Sequence, residues 1–248
     1  MRIRTLLTTC LALCLSAPLS VLAAADKEAA IHQAIIERLQ EARDDFEYGP
    51  VTRTPLPGVY RVPIIGGPML YTTAAGDFAI AGEMYQVLPG ELVNMAEQER
   101  IEERRELLAT LDTDDMIIFP ASGETKAVIN VFTDVDCGYC RRLHEEVPDL
   151  NKHGVEVRYL AFPRAGGGTP THDKMVRAWC SSDQQKAITD LKQGKNIKGA
   201  LCEDNPVMEQ FELGRQFGVT GTPSLVLADG TMIPGYRPWK DLLEVLGL

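Results

Sequence analysis

The chain has 248 residues, 35 acidic against 25 basic side chains, and a formal net charge of −10. No basic patch with interleaved aromatics occurs, so nucleic acid is excluded as a partner, and the acidic balance serves solubility. Six cysteines in a chain of this length direct attention to thiol chemistry and to the compartment where it runs.

The first segment reads as an export leader over residues 1–25. Arg2 and Arg4 form a basic start, Leu6 to Leu22 is apolar, and Val21-Leu22-Ala23 or Ala23-Ala24-Ala25 offers small residues for cleavage. Cys10 and Cys14 leave with it, so the mature chain keeps Cys137, Cys140, Cys180 and Cys202. Losing the two arginines takes the mature charge to −12. An even cysteine count behind a leader implies a disulfide-permissive compartment.

Asp26 to Arg43 carries Ala30, Ile31, Ala34, Ile35 and Leu39 at helical spacing. Short strands are expected at Val59 to Ile65, Met69 to Thr73, Phe78 to Ala81 and Met84 to Leu88. Gly66-Gly67-Pro68 and Ala75-Gly76-Asp77 punctuate them. A module of about 70 residues has a marginal core by itself, which invites pairing with a second copy. Residues 26–90 are thus read as a small α+β dimerisation domain. Glu91 to Leu111, rich in Glu and Arg, reads as one charged helix, and residues 91–114 as a linker between two domains.

From Met116 strands and helices alternate, as in a sheet covered by helices, and residues 115–248 read as a catalytic domain. Lys126 to Phe132 is a buried strand, and Cys137-Gly138-Tyr139-Cys140 opens the helix that follows. Unpaired N–H groups and the partial positive charge of that helix end favour the thiolate of the first cysteine. Rival readings fare poorly. Zinc needs two further ligands, but Cys180 and Cys202 stand 22 positions apart and form no second CxxC. Haem attachment needs a histidine where Arg141 stands. A structural staple rarely has charged residues on both sides.

A strand at Val155 to Phe162, a loop over Gly166 to Pro170 and a helical stretch from Thr171 to about Lys192 come next. Asn205 is expected as the cap of another helix, with Pro206 in its first turn and Gly218 ending it. Ser224 to Leu227 and Thr231 to Ile233 read as a hairpin around Asp229-Gly230, and Trp239 to Leu246 as a last helix. Gly221-Thr222-Pro223 precedes a strand, where proline would remove a needed N–H. A cis Thr222–Pro223 bond would hold a bend there.

These stretches carry a family resemblance. Val131 to Cys140, Arg158 to Arg164, Ala178-Trp179-Cys180, Gly218 to Pro223, Asp229-Gly230-Thr231, Ile233 to Tyr236, Leu70-Tyr71 and Gly82 to Tyr85 resemble the periplasmic disulfide isomerase family of DsbC, with DsbG as its sister branch. The likeness spans nearly the whole mature chain. It implies a thioredoxin-like α/β catalytic domain with a helical insertion, preceded by the dimerisation domain and linker helix. It implies a V-shaped homodimer in the periplasm acting on misfolded disulfide-containing exported proteins. It also implies a cis Thr222–Pro223 bond beside the dithiol, which would receive extended substrate. The CGYC interior and Thr222 suit the isomerase branch. Arg141, the Gly166 to Pro170 loop and a short carboxyl end depart from the pattern.

The resulting expectation assigns Cys137 as attacking thiolate and Cys140 as resolving thiol. Gly138 and Tyr139 tune redox poise and access, and Thr222 and Pro223 bind substrate. A membrane thiol reductase of the DsbD type keeps the pair reduced, and no metal or organic cofactor is required. Asp134, Asp136 and His144 read as solvated or structural, Phe132 and Trp179 as core. Cys180 and Cys202 read as a structural disulfide, stabilising by about 3 kcal/mol in the chain-entropy model, against a second redox pair. Two other functions stay open: a DsbG-like or monomeric thiol oxidoreductase, and a non-catalytic holdase. Chaperone activity beside catalysis is compatible with the first.

Overall fold

The computed structural model describes residues 19–248, with side chains from residue 25. The expected leader therefore lies mostly outside the described residues. The chain divides into two compact units between Tyr85 and Gln86.

In the first unit, helix α1 (Leu19–Ala42) begins earlier than its amphipathic stretch suggested. Strands β1 (Thr52–Arg53), β2 (Val59–Pro63), β3 (Met69–Thr73) and β4 (Ala79–Ala81) form an antiparallel sheet in that order. Its core is small: Ile35 and Leu39 of α1 meet Val51, Tyr60, Val62 and Leu70. Gly76 turns between β3 and β4 at φ +70°, and a Cβ there would stand 3.3 Å from the Ile35 Cα, so the turn lies directly on α1. The outer strand β4 buries nothing. Phe78 and Ile80 are 74% and 72% exposed.

A two-stranded hairpin, β5 (Tyr85–Leu88) and β6 (Glu91–Asn94), turns at Gly90 with φ +81°. This corrects the expectation of a helix starting at Glu91. Pro89-Gly90 between two apolar pairs makes a turn, and the helix waits for a cap. Asn94 supplies it by accepting from the N–H groups of Ala96 and Glu97, and α2 runs Met95–Leu108.

The remaining sheet has order β11-β10-β8-β9-β7, with β7 at Ile117–Phe119, β8 at Ala127–Thr133, β9 at Val155–Ala161, β10 at Ser224–Leu227 and β11 at Met232–Pro234. Only the β8–β9 pair is parallel, and it is joined through helix α3 (Gly138–Lys152). Alternation along the strands splits the core in two. Ile129, Val131, Val157, Tyr159 and Leu225 face α3, α4 (Pro170–Trp179), α5 (Gln184–Lys192) and α7 (Trp239–Leu246). Phe132, Leu160 and Val226 face the other way, with Phe211 and Leu213 of α6 (Val207–Gln216) and Leu107 and Leu108 of α2 packed against their cluster.

Helix α2 is thus not solvated all round. Arg104 is 3% exposed, donates from Nε to the Phe217 carbonyl at 2.9 Å and pairs with Glu97 at 2.7 Å. The Gly230 turn lies so close to it that a Cβ there would meet the Ile101 carbonyl oxygen at 2.1 Å. The stretch expected to be one helix from Thr171 to Lys192 is two. Ser181-Ser182-Asp183 interrupts it, because Asp183 caps α5 by accepting from the Lys186 N–H. Helix α6 begins one residue beyond Pro206, with Asn205 Oδ1 accepting from the Val207 N–H at 3.3 Å.

Candidate active site

Strand β8 ends at Thr133, and four residues later Cys137 occupies the position before the first turn of α3. The intervening turn is held by Asp134, 2% exposed, which accepts from the Asp136 N–H at 2.7 Å and from the Arg164 N–H at 3.0 Å. Asp136 binds Lys174 at 2.9 Å and Thr171 at 2.6 Å on α4, and Arg141 at 3.3 Å on α3. Burial pushes the Asp136 carboxyl up, but these donors outweigh it and hold it below the usual carboxylate range. The Arg141 Nε also donates to the Val135 carbonyl at 2.9 Å. Asp134 and Asp136 are therefore structural groups, and Arg141 fastens the helix start to the turn that precedes it.

The Thr222–Pro223 bond is cis. It brings a segment 85 positions away onto the dithiol: the Cys137 thiol donates to the Thr222 carbonyl at 3.2 Å. The Thr222 hydroxyl is buried and engaged in no regular hydrogen bond among the described residues, which leaves it free to donate to a thiolate beside it. The Pro223 carbonyl is used by the Gly235 N–H at 2.8 Å, which ties the bend to the end of β11.

The two cysteines are free thiols and differ in environment. Burial raises the Cys137 thiol, but the Thr222 side chain, the Cys140 N–H and thiol, and the Tyr139 N–H together hold it below the ordinary thiol value. Cys140 is 1% exposed, and burial dominates there and pushes its thiol up, opposed by the charge of Lys192, the Asp134 backbone and the Thr133 and Thr222 side chains. The first thiol is thus held more acidic than an ordinary thiol, and its neighbour less acidic.

Tyr139 is 63% exposed and stacks on Tyr236, centroids 6.3 Å apart and planes at 21°. The Arg142 guanidinium lies 4.6 Å over the Tyr236 ring, and the Tyr236 hydroxyl donates to Glu146 at 2.5 Å. Gly138 has open space where a Cβ would point. Cys180 and Cys202 form a disulfide with Cα atoms 5.9 Å apart. It joins the end of α4 to the segment before α6.

One residue beneath the dithiol escaped the sequence reading. Lys192, 4% exposed, donates to the Thr133 hydroxyl at 2.7 Å, with its Nζ 5.1 Å from the Tyr159 ring centroid. Helical spacing held the signal, since Lys192 follows Ile188 by four residues on the buried face of α5. His144 is also buried, between the Tyr159 hydroxyl at 3.0 Å and the Thr189 hydroxyl at 2.9 Å. Burial first, then the charge of Lys192, lowers its imidazole to about 3, so it is neutral and structural at physiological pH.

A dithiol at a strand-to-helix junction, faced by a cis-proline bend and split into a low and a high thiol, defines a thiol:disulfide oxidoreductase on a thioredoxin fold. Comparison with known proteins agrees. Residues 113–248 match the thioredoxin-like domain family, and residues 22–97 match the disulfide bond isomerase protein N-terminal domain. The thiol:disulfide interchange protein DsbC of Escherichia coli strain K12 is 38% identical over 219 residues, covering 88% of this chain and 87% of that protein. Its counterpart from Salmonella typhimurium is 38% identical over 234 residues, 94% of this chain and 92% of that one. A solved disulfide interchange protein from Neisseria gonorrhoeae is 36% identical, with TM-score 0.49, covering 55% of this chain and 96% of its own. The chain belongs to the DsbC/DsbG family of periplasmic thioredoxin-fold thiol–disulfide proteins.

Proposed function

We propose that this protein is a periplasmic disulfide isomerase that rearranges wrong disulfides in exported proteins through Cys137 and Cys140. The carrying observation is the asymmetry of the pair: Cys137 held low by the Thr222 side chain and the Cys140 and Tyr139 N–H groups, Cys140 buried and held high. The Cys137 thiolate attacks a client disulfide, forms a mixed disulfide and expels a client thiolate. A second client thiol then releases a rearranged product, or Cys140 displaces the client and leaves the enzyme oxidised. A membrane reductase of the DsbD type restores the dithiol.

Thr222 and Pro223 receive the extended client beside the sulfur, and Tyr139, exposed at the rim, governs access while Gly138 keeps the approach open. Cys180–Cys202 serves as a structural bond. The leader over residues 1–25 is removed on export. The first unit pairs two copies into a homodimer, supported by the bare edge strand β4 with Phe78 and Ile80 in water.

The test is reactivation of a scrambled multi-disulfide protein by the mature, partly reduced chain, with Cys137→Ala beside it. Recovery that turns over and disappears in the variant supports the isomerase. Fast oxidation or reduction of simple dithiols without recovery overturns it in favour of a plain oxidoreductase. The exposed apolar side chains Phe78, Ile80, Val87 and Leu92 also favour a chaperone role beside catalysis. Equal suppression of client aggregation after both Cys137 and Cys140 become alanine supports that role.

A further inference from the structure

Resolution by Cys140 poses a problem that the thiol pair does not solve. Only the thiolate attacks a disulfide, yet Cys140 is buried and burial holds its proton on. That proton needs a nearby acceptor and a way out. Thr133, fully buried at the end of β8, has a side chain that favours the Cys140 thiolate and lies 2.7 Å from the Lys192 Nζ. Lys192 in turn lines a groove of about 500 Å³ between α3 and α5, whose walls include Phe119, His144, Pro148 and Gln193. Lys192 thus stands between a thiol that must lose a proton and a groove open to solvent.

We propose that Lys192, acting through the Thr133 hydroxyl, takes the proton from Cys140 as that sulfur attacks the mixed disulfide. The inference rests on the assignment of Cys137 as attacking and Cys140 as resolving sulfur. In the step, the Cys140 S–H proton passes to the Thr133 oxygen while the Thr133 proton passes to the Lys192 nitrogen. The Cys140 sulfur forms a bond to Cys137, the Cys137–client S–S bond breaks, and the client leaves as a thiolate. The client is reduced by two electrons, the enzyme pair is oxidised by two, and lysine ends as an ammonium that gives up its proton to the groove.

The surroundings suit an amine that changes charge. Burial lowers Lys192 to about 8, while Cys140, Asp134 and Cys137 pull it up and Arg141 opposes them. His144, facing it from α3, is neutral, and the buried hydroxyl of Tyr159 stays protonated. Among the described residues the Lys192 Nζ donates to the Thr133 hydroxyl and pairs with no carboxylate.

The experiment follows reaction of the fully reduced mature protein with an aromatic disulfide whose released thiol is coloured. The first colour phase reports attack by Cys137 and the second reports resolution by Cys140. In the wild type the second phase speeds up with pH through a midpoint near 8. Lys192→Met fills the same space without a base. It should slow the second phase at pH 7 by about tenfold or more and move its midpoint upward, with a smaller change in the first phase. Thr133→Val should do the same with the ammonium still present, and Thr133→Ser should restore the rate. A second phase in Lys192→Met with wild-type rate and midpoint overturns the relay. So does a Thr133→Val protein that resolves normally, because Lys192 would then act by charge alone. Cys140→Ser separates the two levels: a second phase that survives there overturns the assignment of the sulfurs themselves.

Discussion

Lys192 and His144 lie on facing sides of the α3–α5 seam, and burial lowers both, so each writes a pH dependence into stability. For Lys192 the folded value is about 8 against an ordinary 10.5. Below pH 8 both states carry the charge, and the folded state bears the cost of burying it, at most about 3 kcal/mol. Between pH 8 and 10.5 the unfolded chain holds the extra proton, so stability rises with pH. Lys192→Met should therefore be more stable than wild type in urea at pH 7, with the gap closing above pH 10. His144 works in the acid range. Between pH 6.5 and about 3 the unfolded imidazole takes a proton that the folded one refuses, so stability falls as pH falls. His144→Asn should flatten this limb in denaturation midpoints measured across that window. At Cys137, Thr222→Val removes a donor to the thiolate, and its ultraviolet thiolate titration should shift to higher pH.

Helix α6 is fitted tightly to the sheet. A Cβ at Gly214 would stand 2.5 Å from Phe162 and 3.1 Å from Phe132. Alanine gains up to about 1 kcal/mol in helix propensity, but overpacking costs about 1–3 kcal/mol. Gly214→Ala should lower the thermal midpoint on balance. Elements bounded by local punctuation were legible from sequence: β3 lies between Gly66-Gly67-Pro68 and Ala75-Gly76, and α7 starts after Pro238. The hairpin at Pro89-Gly90 and the break at Ser181-Ser182-Asp183 were not read, because charge in one case and helical periodicity in the other masked turn chemistry that was present. The same holds at the site. The CxxC and the Gly-Thr-Pro bend are each local motifs, whereas the roles of Thr133 and Lys192, 59 positions apart, exist only once β8 and α5 are packed. Likewise the charged run of α2 concealed Arg104, whose guanidinium is claimed by the carbonyl of Phe217, 113 positions on.

At the scale of the whole molecule, the open edge of the first unit carries the prediction. Strand β4 offers unpaired backbone along one side and places Ile80 in water, an arrangement that a second copy can cover by strand addition. Ile80→Asp should convert a dimer to a monomer in sedimentation, while attack on a small aromatic disulfide persists. A wild-type protein that sediments as a monomer would remove the dimer. The bond between Cys180 and Cys202 has a bearing on how the protein comes into being. Four cysteines allow three complete pairings, and only one of them yields this fold with its working thiols joined to each other. The newly exported chain needs an oxidant to make one bond and a reductant to open the other. It must also avoid trapping Cys137 against Cys180 or Cys202, so under the proposed function the protein belongs, during its own maturation, to the class of proteins it would act on.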